Sequence, residues 1–191
     1  LALLLACLGM LGPFSIDTYL PAFGSMGQSL GASPAQLQQT LAAYLAGGVV
    51  RGLAIGFFTL LAALPFVDLP LVNPTTAIVA FVCAAVAFSA LGVGVGLVAK
   101  TWDQQSYVGN LILQPLVFLG GVFYSVNLLG EPWRGLTKAD PILYMVAASR
   151  HGMLGTSEIN QWLSMGVTVA LTGAMVAWAG WLVQRGTGLR T

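Results

Sequence analysis

Few side chains in this sequence can do chemistry, and those few stand apart from one another. Asp17 follows the apolar run 1–14 and is the one acid near a helix interior. A carboxylate at membrane depth is costly to hold there, and it marks a proton-coupling acid; the plainer reading sets Asp17 at a helix end, capped by water. Arg51 splits an otherwise apolar run. Its long stem can snorkel, so it reads as a helix start at the cytoplasmic interface, with contact to a substrate or anion as the rival. His151 lies beside Ser149 and Arg150 with no acid to orient it. Neither a nucleophilic serine nor a metal ligand is expected there.

Gly92, Gly94 and Gly96 imitate a phosphate-cradling loop, but no strand precedes them and no Lys-Ser/Thr follows. Close helix packing accounts for them better, as it does for Gly120 and Gly121. Cys7 and Cys83 sit in apolar runs and read as small buried hydrophobes, not as a disulfide or a metal pair. No catalytic, cofactor-binding or metal site is predicted, and the chain is not expected to be an enzyme. The connector 100–110 (KTWDQQSYVGN) is the exception to this blandness. Short, polar and carrying Lys100, Trp102 and Asp103, it is either a solvated turn or a docking element for a cytoplasmic partner.

What must position these residues is set by charge. Seven Lys/Arg and six Asp/Glu among 191 residues leave long charge-free windows at 18–50, 69–99, 104–130 and 159–184, with a shorter one at 52–67. A charged fraction of 7% and a hydrophobic fraction of 57% contrast with the roughly 25% charge of soluble domains. Crossing a bilayer takes about 20 apolar residues per helix, and inside lipid only helices or closed barrels satisfy the backbone. The runs are continuous rather than alternating, which excludes barrel strands. A net charge of +1 offers no footprint for nucleic acid.

The chain therefore reads as an all-α integral membrane protein. About five transmembrane helices are expected, at 1–21, within 34–67, and at 75–99, 111–129 and 162–183, plus a short re-entrant or interfacial helix at 143–154 before the last. Ser33 and Pro34 open the second crossing as N-cap and first helical residue. Alternating crossings with the C-terminus inside put Arg51, Lys100, Arg185 and Arg190 in the cytoplasm and Arg134, Lys138 and Arg150 outside, a weak positive-inside bias. The first residue is Leu1 with no basic segment before the apolar run, so the start reads as one cut within or just before a helix rather than a secretory signal.

Two resemblances are carried by longer motifs. GGVVRGLAIG (47–56), AKTWDQ (99–104), QPLVFLGGVFYSVNLL (114–129), ADPILYMV (139–146), RHGMLG (150–155) and RGTGLR (185–190) make 47–191 resemble the C-terminal part of an ABC-2 type exporter permease. Asp140 departs from that pattern, where Asn usually precedes the proline. The resemblance implies a multi-pass subunit of the bacterial inner membrane that pairs with a second permease copy and with nucleotide-binding ATPase subunits. ATP would then be bound and hydrolysed in the partner, with no cofactor in this chain, and Lys100, Trp102 and Asp103 would contact that partner.

Residues 1–46 are similar instead to the first helices of bicyclomycin-resistance-type antiporters of the major facilitator superfamily, on LGPFSIDTYLPAF (11–23) and LGASPAQLQQTLAAYLAG (30–47). Asp17 would then belong to a proton-coupling first helix, although the basic loop that should follow the second helix is absent. The chain thus reads as a chimaera, 1–46 antiporter-like and 47–191 permease-like. The two halves imply opposite directions for the helix at the junction. Residues 36–67 span about 48 Å as helix, too short for two crossings and a turn, so one direction must yield.

Overall fold

The computed structural model describes residues 33–66, 70–99, 101–121, 126–156 and 159–185. Every regular element among them is helical. The expected crossing at 1–21, with Asp17 and Cys7, lies outside the described residues.

Helix α1, Pro34–Ala63, starts where the sequence signals it. The Ser33 hydroxyl accepts from the Gln36 N–H at 3.3 Å, and the Gln36 side chain accepts from the Ser33 N–H at 2.8 Å. Two orphan donors are satisfied by this reciprocal cap. From there the helix runs unbroken for 30 residues, about 45 Å, so the chain across 46–47 makes one crossing. Arg51 is consequently in the middle of α1 and does not begin a helix. Its neighbouring glycines each cost a helix only about 1 kcal/mol, and no proline interrupts 35–63. With Arg51 inside the span, the charge count for orientation loses one of its cytoplasmic members.

Helix α2, Pro74–Val98, returns antiparallel to α1. Gly48 faces Ser89 and Gly52 faces Ala85, and the Ser89 hydroxyl donates to the Leu45 carbonyl at 2.8 Å. The last helix here, α7, Gln161–Arg185, runs parallel to α2. Its Thr172 hydroxyl donates to the Cys83 carbonyl at 3.1 Å, the Trp178 ring lies over Gly94, and Leu182 packs with Leu41, Val93 and Leu97. Among the described residues three helices are long and apolar enough to cross a membrane: Gln38–Ala63 of α1, α2 and α7.

The run 111–129 is not one helix. The connector itself is helical, as α3, Trp102–Tyr107. It continues through a π-helical turn, Val108–Leu113, into α4, Gln114–Leu119. In that turn the Gln114 N–H reaches back five residues to the Gly109 carbonyl, and Pro115 has no N–H to restore ordinary pairing. The helix then ends at Gly120 and Gly121, the latter at φ 72°, which glycine adopts without steric penalty. A 3-10 turn, Val126–Leu128, follows, then α5, Trp133–Ala139.

The short helix expected before the last crossing is α6, Pro141–Leu154. At 14 residues it covers about 21 Å, too little to span. Ile142, Leu143, Met145, Ala147, Ala148 and Gly152 are buried, so α6 packs into the bundle along one face. Its end docks at the start of α2, where the Asn73 N–H donates to the Gly152 carbonyl at 2.9 Å.

A Cβ at position 152 would overlap the backbone N and Cα of Ala77, and backbone cannot rotate away. Gly152→Val is expected to lose about 1–3 kcal/mol of stability, read as earlier loss of the monodisperse peak on heating in detergent. Gly56→Ala, with open space around its Cβ, should not lower that midpoint, and it relieves the helix of up to about 1 kcal/mol.

Candidate functional site

Three of the five glycines that line one side of α1 and α2 create space rather than contact. Added Cβ atoms at Gly47, Gly56 and Gly92 would meet nothing within 4 Å, whereas Gly48 and Gly52 face Ser89 and Ala85. The helices touch at the second pair and leave a cleft of about 1020 Å³ beside the first group. Its walls are apolar: Ile55, Phe57 and Leu60 from α1, and Ile78, Phe81 and Phe88 from α2. Arg51 is the only charged residue among the described residues that line it. An ionisable side chain at this depth is a functional candidate by default. Arg51 thus stands mid-helix in the cleft wall rather than at a helix start.

The connector is a capped helix beyond the end of α2. The Thr101 hydroxyl accepts from the Gln104 N–H at 3.4 Å, and exposed Asp103 lies in the first turn, where a negative charge complements the helix dipole. Trp102 opens α3. Lys100 lies outside the described residues. At the same end of the bundle as Leu97, Arg185 stacks on the Trp181 ring at 3.9 Å.

Among the remaining candidates, Gly94 receives Trp178 and Gly120 receives Ile142, so both serve close packing. Gly92 opens into the cleft instead. The Ser149 hydroxyl donates to the Met145 carbonyl at 2.9 Å, within its own helix. Arg150 does more than present a polar face: its guanidinium donates to the Gly121 carbonyl at 2.8 Å, tying α6 to the turn that ends α4. Nothing in the sequence around Arg150 signals this, although the Gly-Gly pair does announce a turn with free carbonyls. No group of three or more His, Cys, Asp or Glu that could hold a metal occurs among the described residues.

Asp140 caps α6, its Oδ1 accepting from the Ile142 N–H at 2.9 Å. It is buried, and its Oδ2 has no hydrogen-bond partner. Burial raises its pKa above the ordinary carboxylate value, partly offset by the Ile142 hydrogen bond.

These features define a class: a multi-pass helical membrane protein with a cleft between two of its long apolar helices and a short packed helix before its last span. The family description "ABC-2 type transporter" matches residues 3–154, and the chain belongs to that family. It is 37% identical over 166 residues to the inner membrane transport permease YadH of Escherichia coli K12, covering 86% of this chain and 64% of that protein, with the same values for YadH of Shigella flexneri. The chain thus spans somewhat under two thirds of these relatives. A second similarity is to the uncharacterized MFS-type transporter YdgK of Bacillus subtilis, 43% identical over 56 residues, 29% of this chain and 14% of that protein. No solved structure matches the chain. Family and apolar helices together place it in a bacterial inner membrane as a multi-pass protein.

A buried acid with a raised folded-state pKa favours the folded state only while it stays protonated. As pH rises, the unfolded chain ionises first, so stability falls from the ordinary carboxylate range upward, until Asp140 itself ionises. Asp140→Asn removes this titration. The melting midpoint of the Asp140→Asn variant should match the wild type near about pH 4. At neutral pH it should exceed it, because the variant escapes the cost of ionising a buried carboxylate.

Proposed function

We propose that this chain is the membrane-spanning permease subunit of an ABC-type exporter, forming the transport pathway while a separate subunit binds and hydrolyses ATP. The observation that carries this reading is the family match over residues 3–154, supported by YadH, itself named a transport permease. The sequence holds no Gly-x-x-x-x-Gly-Lys-Ser/Thr segment, the loop that cradles nucleotide phosphates, so ATP chemistry is assigned to the partner. A second permease copy completes the pathway, and access alternates between the two membrane faces as the ATPase subunits close.

The connector is the proposed point of force transfer. Lys100, Trp102 and Asp103 follow α2 directly, and a helical element just outside a span can move as a rigid lever. A push on α3 would pass into α2, against which α1, α6 and α7 all pack.

A second reading has its own support. The similarity to an MFS-type transporter and the motif around Asp17 favour a proton-driven antiporter fragment, and with it a chimaera whose boundary falls near residue 46. A non-transporting membrane subunit is the third.

The chain co-expressed with a nucleotide-binding ATPase subunit of an ABC exporter should co-purify with it and stimulate its ATP hydrolysis. Trp102→Ala with Asp103→Ala should abolish both while the permease stays monodisperse. Transport that runs on a pH gradient without ATP, and stops with Asp17→Asn, would overturn the exporter reading in favour of the antiporter.

A further inference from the structure

The cleft between α1 and α2 joins a large apolar volume to a single cation at the most costly depth. Gly48 and Gly52 face Ser89 and Ala85, so Arg51 between them lies level with the middle of α2. By helical rise that is about 18 Å from either end of α2. Snorkelling brings an arginine head to the interface only from near a helix end. Arg51 therefore sets its guanidinium at the middle of the cleft.

We propose that this cleft binds an anionic phospholipid, its phosphodiester on the Arg51 guanidinium and its acyl chains along the aromatic walls. Three observations select this occupant. A guanidinium presents five N–H donors in a fork matched to phosphate oxygens, so a head group can share it with other contacts of the side chain. The walls are apolar and reach the outer surface of the bundle, with Phe57 61% and Phe81 39% exposed. A free inorganic anion would exchange its hydration for phenyl rings on that path, whereas acyl chains gain contact. Finally, no acidic residue is among the described residues lining the cleft, so the ammonium of a zwitterionic head group would meet Arg51 and no counter-charge. The volume, about 1020 Å³, stands at the upper limit of the roughly 300–1,000 Å³ of small-molecule sites.

This inference concerns binding alone and does not depend on an ATPase partner, so either can fail while the other stands. The test uses the purified chain in nanodiscs of mixed phosphatidylcholine and phosphatidylglycerol, followed by detergent exchange and mass spectrometry of the retained lipid. Wild-type protein should retain phosphatidylglycerol about tenfold over its share in the disc, and Arg51→Gln should bring it to parity. Arg51→Lys, which keeps the charge but loses the fork, should fall between. Gly56→Leu, which narrows the cleft and leaves Arg51 in place, should reduce retention of both lipids, and it keeps the test open if Arg51→Gln does not fold. Equal enrichment in the wild type and both Arg51 variants would overturn the proposal. So would displacement of the retained lipid by inorganic phosphate, or equal retention of phosphatidylcholine.

Discussion

The bundle rests on how closely other helices can approach α2. Its buried positions are Ala77, Ala80, Ala87, Ala90, Val93, Gly94, Gly96 and Leu97, nearly all small. In lipid the hydrophobic effect does not drive one apolar helix against another, so association depends on van der Waals contact and on hydrogen bonds between helices. Small residues supply the first by letting backbones come near. The hydroxyls of Ser89 and Thr172 supply the second, each donating to a backbone carbonyl on the facing helix. Proximity allows those bonds, since a short hydroxyl side chain reaches a neighbouring carbonyl only across a close crossing.

The same constraint makes room for function. Where α1 and α2 touch at Gly48 and Gly52 the interface is dense, and where Gly47, Gly56 and Gly92 face nothing it opens into a cleft. Arg51 enters that opening from the helix that carries the contact. The short helix α6 meets α2 at its other end, where Gly152 rides on the backbone of Ala77 and Gly155 takes a left-handed turn at φ 71° against Val72. Connector, cleft and short helix therefore all touch one span.

How much of this was legible differs from residue to residue. Ser33, Pro34 and Gln36 announced the start of α1 because a helix cap is a local bond made within four residues. Asp140 and Pro141 open α6 with the same kind of local cap, two residues before the expected start at 143. The run 111–129 misled, because hydropathy counts apolar side chains and is blind to the backbone defects at Pro115 and Gly121 that divide it. Arg51 misled in another way. Charge in an apolar run suggests a boundary, but whether a cation ends a helix or lies mid-span depends on what faces it, and Ala85 and Ser89 are more than thirty residues away in sequence. The bond from Arg150 to the Gly121 carbonyl, across a similar distance, was invisible for the same reason.

Composition and charge spacing by themselves determined that this chain is helical and lives in a bilayer, and its motifs determined the family. Those properties follow from solvent and local backbone chemistry, which act on each segment independently of the others. Only the tertiary structure decided that Arg51 lines the middle of a cleft, that the helix of the fourth apolar run ends at two glycines, and that the short helix packs into the bundle. Each of those depends on which small residues meet across a helix crossing. In lipid, where every span is equally apolar, that pairing is set by shape, and shape exists only once the helices are packed.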